Sequence, residues 1–305
     1  MPNDECRGPV SRASCVVGSL FSPLVGKVRG AARLQRWLQW AGDLPRLLEV
    51  VRGHEDMDFP GTWKLLDLPG RLPDVVHCHN LHGGYFDLRA LPSLSRKVAL
   101  VLTLHDAWLL GGHCAHSLDC QRWETGCGNC PDLTIPPAIR HDATAYNWQA
   151  KREIYARCKL HVATPCRWLM QKVERSMLAP AVVDGRVIPN GVDLSVFQPG
   201  DRGAARALLG IAQEARVILS AGWKLRGNVW RDYATKRSAV GLAAERLPGE
   251  RVVFLVLGED APPERVGRAE IHSVPYQSNR LQVARYYQAA DVCLHGARAD
   301  TFPNA

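Results

Sequence analysis

The chain has 305 residues and a mass of 33.7 kDa, with 46% hydrophobic and 22% charged residues. That length and balance leave room for two domains and exclude wholesale disorder, and no apolar run approaches the roughly 18–20 residues of a membrane-spanning helix. Thirty-eight Lys and Arg against 30 Asp and Glu leave a net charge of +8, which favours anionic partners such as phosphate-bearing substrates, lipid headgroups or nucleic acid without selecting among them.

Residues 1–25 carry no usable periodicity, and a leader-like stretch at 14–25 is interrupted by Gly18, Ser22 and Pro23. Residues 26–51 turn helical, with Val28, Leu34, Trp37, Leu38, Leu44 and Leu48 recurring between arginines. Such a basic amphipathic helix either covers a core or rests on an anionic membrane surface. Short Val- and Leu-rich strands at 74–79, 98–105, 158–164 and 185–188 then alternate with helices at 85–94, 142–157 and 166–178. A second set comprises strand 216–221, helix 231–247, strands 251–257 and 270–274, helix 280–289 and strand 291–295. Near-continuous apolar strands alternating with helices predict an α/β fold with parallel sheets covered on both faces. The Pro- and Gly-marked stretch 190–200 predicts the joint between two such units. The expected organisation is an N-terminal segment 1–55, a first α/β domain 56–189, a linker 190–200 and a second α/β domain 201–305.

Ten cysteines is a high count. The chain is too long and its cysteines too unevenly placed for a disulfide-stitched secreted scaffold, which points to a reducing cytoplasm. Four of them, Cys114, Cys120, Cys127 and Cys130, follow the spacing C-x5-C-x6-C-x2-C and close on a knuckle with Gly128 inside. Four thiolates so arranged can enclose a tetrahedral zinc ion; two disulfides or four free thiols are the competing readings. With no general base or further ligand evident beside it, any zinc there is structural.

In open α/β sheets, ligands bind beyond the carboxyl ends of the strands. At the first such end His77 and His79 share one face of the strand, and Asn80, Leu81, His82, Gly83 and Gly84 follow as a loop. The second strand ends in Thr103-Leu104-His105-Asp106. Histidines at two adjacent strand ends mark a candidate site. In the second half, Lys224, Arg226 and Arg231 cluster between strand 216–221 and the helix after it. Cations at a helix N-terminus oppose its dipole, a conflict that a bound anion such as a diphosphate resolves. Asp300 follows the last strand and either projects from the carboxyl edge or caps a helix.

Taken together, HNLHGGYF (79–86), TLHDAW (103–108), GHCAHSLDCQRWETGCGNCPDL (112–133), VIPNGVDLSVFQP (187–199) and RADTFPN (298–304), with DFPGTW (58–63), resemble the family-4 glycosyltransferases. These are retaining enzymes of the GT-B architecture, with two Rossmann-like domains. The cysteine-rich stretch is similar to the subgroup that serves exopolysaccharide and lipopolysaccharide assembly. The resemblance runs from about residue 56 to the last residue. It implies a nucleotide-sugar donor held by the second domain and a glycan or lipid-linked acceptor on the first.

Under that resemblance His105 matches a histidine that touches the transferred sugar. Arg231 matches the basic residue of the diphosphate-binding segment, with Lys224 or Arg226 as the second cation. Asp300 stands where the family has the first glutamate of a Glu-x7-Glu motif, and Phe302, Pro303 and Asn304 line the donor pocket. His79, Asn80, His82, Gly83 and Asp106 lie on the acceptor side. In the family the departing phosphate takes the acceptor's proton on the same face, so no carboxylate base and no catalytic metal are expected, and structural zinc is the sole cofactor considered. The motif's second glutamate would fall past Ala305, and the family's first Gly-rich turn is not recognisable in residues 1–50. The chain is therefore expected to be a fragment with both domains incomplete.

Two other readings compete with the enzyme. One is an inactive fragment with a structural or partner-binding role. The other is a basic zinc module binding nucleic acid, which is disfavoured because the cysteine cluster encloses only Arg122 and Trp123 where such binders interleave many aromatic and basic residues. No nucleic-acid partner is expected. The expected location is the cytoplasm, with peripheral contact at the inner face of the cell membrane as a role for the basic helix.

Overall fold

The computed structural model describes residues 43–303. The leader-like stretch, helix 26–51 up to residue 42, and Asn304 lie outside the described residues. The chain divides between Pro189 and Asn190 into two units.

In the first unit Asp43 opens helix α1 (Leu44–Val51), its carboxylate accepting from the Arg46 N–H, with Pro45 in the first turn where no donor is needed. Four strands follow: β1 (Val75–His79), β2 (Ala99–Thr103), β3 (Leu160–Thr164) and β4 (Val182–Val187). They pair in parallel in the order β1-β2-β3-β4. Register pairs His79 with Thr103 and Thr103 with Ala163, so the carboxyl ends of β1 and β2 finish level on one edge. Helices α2 (Leu91–Lys97), α3 (Thr144–Tyr155) and α4 (Arg167–Arg175) return the chain between strands. Leu100, Leu102 and Leu160 of the sheet pack with Leu88, Leu91, Tyr155 and Leu169 in one buried core. The helix predicted at 85–94 begins later than expected. Asp87 accepts from the Arg89 N–H and starts a 3-10 turn, and Pro92 then sits in the first turn of α2.

The second unit opens with α5 (Arg202–Leu209), capped by Asp201 and ended by Gly210 in the left-handed conformation at φ 67°. Then come β5 (Arg216–Ala221), α6 (Tyr233–Glu245), β6 (Val252–Leu257), β7 (Glu264–Val266), β8 (Ala269–Val274), α7 (Arg280–Ala289) and β9 (Val292–Cys293). The sheet order is β7-β8-β6-β5-β9, parallel except that β7 runs antiparallel to β8. Every residue of β6 is buried. Val252, Phe254 and Val256 pack with Val240, Ala244 and Ile271, while Val253, Leu255 and Leu257 pack with Val217 and Leu219 on the other face. Burial on both faces is why this segment reads as an unbroken apolar run. The strand predicted at 291–295 shortens to the two residues of β9, while α5 and β7 are elements the periodicity did not announce.

The carboxyl edge of this second sheet is built on glycine. Gly258 (φ 95°) lies so close to Gly222 that a Cβ there would overlap the Gly222 carbonyl oxygen, and the Lys224 N–H donates to the Gly258 carbonyl. Gly258→Ala is expected to lower the stability of this unit by about 1–3 kcal/mol, the usual cost of forced overpacking. A denaturation midpoint unchanged from wild type would contradict the crowding. Among the described residues no helix is long and apolar enough to cross a membrane.

Candidate functional site

Strand alternation places the first group of polar side chains. Cys78 is buried beneath the sheet while His77 and His79 are exposed on the opposite face. His77 Nε2 lies 2.8 Å from Thr103 Oγ1, and His79 Nδ1 lies 2.9 Å from His105 Nε2. Asn80 turns the chain with φ 44°, and the Tyr85 hydroxyl donates to the carbonyl oxygens of His79 and Asn80 at 2.7 and 2.9 Å. His82 Nε2 meets Asp106 Oδ2 at 2.8 Å, and the other Asp106 oxygen accepts from the Trp108 N–H at 2.9 Å. Burial alone would raise the Asp106 carboxyl, but the His82 and Trp108 bonds hold it below its usual range. The same bond to Asp106 raises His82 above an ordinary histidine against the opposing effect of burial. His79, His82, His105 and Asp106 thus converge, with Asn80 and Gly83 in the connecting loop.

A buried lysine that sequence reasoning missed holds this edge in place. Lys151 of α3 is 0% exposed, and its Nζ donates to the carbonyls of Trp108 and Gly111 at 2.9 Å each and to Glu55 Oε1 at 2.8 Å. It also lies 3.8 Å from the centroid of the Trp108 ring. The segment leaving β2 through His105 and Asp106 is thereby tied to α3. Burial raises Glu55 to about 7 despite its lysine partner, and its Oε2 is buried without a hydrogen bond.

The cysteine-rich loop follows. Cys114, Cys120, Cys127 and Cys130 are free thiols that line, with His113, one cavity of about 30 Å³. Gly126, Gly128 and Asn129 carry positive φ values through the knuckle. Burial and the neighbouring thiols push Cys114 up to about 12, and burial pushes Cys127 up to about 11. His113 Nδ1 faces the Pro137 carbonyl at 3.0 Å and Nε2 faces Cys130 Sγ at 3.4 Å. Among the described residues, no three His, Cys, Asp or Glu side chains stand as a group ready to hold a metal ion.

In the second unit the loop between β5 and α6 carries the cations. Arg231 Nη1 donates to Asp300 Oδ2 at 2.8 Å, and Asp300 Oδ1 accepts from the Phe302 N–H at 3.2 Å. His295 Nε2 stands 3.9 Å from the same Oδ2. Beside Arg231 the sequence reading missed Lys236. It is 2% exposed in the first turn of α6, with Nζ donating to Ser220 Oγ at 3.0 Å. Burial, then the Arg231 charge, lowers its pKa. The interval of five residues from Arg231 was available in the sequence, as was the oddity of a further cation at a helix N-terminus. Arg226 turns elsewhere: it pairs with Glu264 at 2.8 Å and covers the Tyr233 ring at 4.7 Å. Lys224 is exposed in a left-handed conformation at φ 46°, its Nζ 5.5 Å from the Trp223 ring centroid. Phe302 and Pro303 line a cavity of about 780 Å³ together with Asn190, Gly191, Phe197 and Tyr287. Two fixed cations and a carboxylate at the carboxyl edge of a parallel sheet can hold an anion and the hydroxyls attached to it.

Comparison with known proteins bears on both units. The sequence profile of the family described as Glycosyltransferase Family 4 matches residues 25–196. The glycosyl transferase WcaC of Escherichia coli K12, named for colanic acid biosynthesis, is 30% identical over 135 residues, covering 40% of this chain and 32% of that protein. D-inositol 3-phosphate glycosyltransferase 1 of Catenulispora acidiphila is 28% identical over 276 residues, covering 86% of this chain and 56% of that protein. D-inositol 3-phosphate glycosyltransferase of Mycobacterium bovis is 43% identical over 137 residues, covering 40% of this chain and 26% of that protein. The chain therefore spans from about a quarter to just over half the length of these relatives. The solved apo structure of OtsA aligns with a TM-score of 0.48 at 12% identity, over 80% of this chain and 57% of that one. With more than half of its residues inside the family profile, the chain belongs to glycosyltransferase family 4.

Proposed function

We propose that the chain carries the substrate-binding chemistry of a retaining glycosyltransferase that moves a sugar from a nucleoside-diphosphate donor to a glycan or lipid-linked acceptor in cell-surface polysaccharide assembly. The observation that carries this reading is the cluster of Arg231, Asp300 and buried Lys236 at the carboxyl edge of the second sheet. When the bond between the sugar's C1 and the phosphate oxygen breaks, its electron pair passes to the diphosphate. Arg231 and Lys236 are already fixed where that charge grows, and fixed charges need no reorganisation during the step. The acceptor oxygen bonds to C1, and its proton goes to the departing phosphate oxygen. Asp300 holds the sugar hydroxyls, and His105 belongs to the first unit's own site. The name of the E. coli relative supports the polysaccharide role, and the contact pairs His79–His105 and His82–Asp106 support the first unit as the acceptor side.

The reaction takes place in the cytoplasm, against an acceptor at the inner membrane face. Assaying transfer from a panel of nucleotide sugars, with Asp300→Ala beside the wild type, tests the assignment. Loss of transfer in the variant is expected, and full activity would overturn the donor site. Structural zinc in the cysteine loop is the companion proposal, supported by the C-x5-C-x6-C-x2-C spacing and by four free thiols lining one small cavity, which a bound ion would have to draw together into a ligand group. About one zinc per chain in protein purified under reducing conditions is expected. A metal-free or disulfide-linked loop would refute it.

A further inference from the structure

We propose that a cavity on the first unit, walled by α1, residues 54–58 and α3, binds a small organic ammonium compound whose N–H donors complete the hydrogen bonding of Glu55. The cavity has a volume of about 410 Å³, within the usual range for small-molecule sites, and none of the substrate groups assigned above lines it. Glu55 lines it with its side chain 8% exposed. Lys151 takes Oε1 at 2.8 Å, while Oε2 is buried and makes no hydrogen bond. The Glu55 N–H is tied to Asn147 Oδ1 at 3.0 Å, so backbone and carboxylate are both anchored to α3. A buried carboxylate oxygen left without a donor is costly, and a guest that brings one removes that cost.

Charge selects the guest. Five of the side chains lining the cavity are carboxylic and three are guanidinium, an acidic excess on a chain whose net charge is +8. Two of the guanidiniums are already engaged: Arg46 grips Asp56 with Nε at 2.9 Å and Nη2 at 2.7 Å, and Arg89 Nε meets Asp87 at 2.8 Å. The third, Arg157, donates through Nε to the Glu153 carbonyl oxygen at 3.2 Å. The Tyr146 ring, 54% exposed and stacked on His54 at 3.8 Å, adds an aromatic wall, which attracts a cation and not an anion. Among the described residues no three His, Cys, Asp or Glu side chains are grouped to hold a metal ion, so the guest is an organic cation. Its charge favours the ionised form of Glu55, which burial holds back despite Lys151 and His82. Lys151 and Tyr155 of α3 and His82 after β1 are the titratable groups that face this carboxyl. Binding therefore displaces a proton and tightens as pH rises through about 7.

Titration calorimetry of the full chain with spermidine and with putrescine tests this, run in two buffers of different ionisation heat. Expected are saturable binding, a proton released to the buffer, and a Kd about 5–10-fold lower at about pH 7.5 than at about pH 6. Glu55→Gln should weaken binding by about 10–100-fold, the worth of a hydrogen bond to a charged group, and abolish the proton release. Tyr146→Leu, at an exposed position, should weaken it by about 2–5-fold and keep the proton release. That variant decides the matter should Glu55→Gln fail to fold. Choline, a cation without an N–H, should bind about tenfold more weakly than spermidine. No saturable heat with either amine, or binding unchanged by either substitution, would overturn the proposal. So would choline or a neutral methyl glucoside binding as tightly as spermidine.

Discussion

Lys151→Met is expected to remove about 3–5 kcal/mol from the stability of the first unit, because it leaves the Glu55 carboxylate and two backbone carbonyls buried without a donor. Nothing can compensate from solvent: Lys151 is 0% exposed and the Glu55 side chain 8%. The loss should appear as a lower denaturant midpoint, and the double variant Lys151→Met/Glu55→Gln should be less damaged than the single one. Glu55 also gives the unit a pH signature. Its folded pKa is raised from 4.5 to about 7, so the folded chain holds a proton that the unfolded chain has released across that interval. Stability from this group is full below about 4.5 and is lost as pH rises towards 7. Glu55→Gln should flatten that slope between pH 4.5 and 7, and an unaltered slope would show that Glu55 does not titrate there.

Arg231→Ala is expected to lower kcat for sugar transfer by about 100–1,000-fold, the range seen when one preorganised donor to a developing negative charge is removed. Arg231→Lys should lie between, since it keeps the charge and loses the planar fork that engages Asp300. The first-unit pH signature should be the same in both variants, because Glu55 and Arg231 belong to different units. A turnover number within a few-fold of wild type for Arg231→Ala would remove this residue from the donor site.

What the sequence made legible follows from where side chains are buried and how far apart partners lie. Strand β5 and helix α7 fall on the predicted residues because their apolar spacing is set by packing against their own neighbours. The histidine edge was readable for a related reason: alternation along β1 separates Cys78 from His77 and His79, and parallel register then carries them to Thr103 and His105. The Glu55–Lys151 pair was not readable, since its members are 96 residues apart and a lysine inside a helix pattern normally reads as solvated surface. Lys236 was hidden in the same way by a helix start placed at residue 231, two residues before α6 begins. Arg226 was grouped with the donor cations because it lies between Lys224 and Arg231. Its partner Glu264 sits on β7, a three-residue strand too short to announce itself by period.

Calorimetric titration of this chain with UDP-, GDP- and ADP-linked sugars tests the central claim most directly. The account predicts saturable binding of at least one of them, markedly weakened by Arg231→Ala and by Lys236→Met. No measurable heat with any of the three, or binding indifferent to both substitutions, would contradict it.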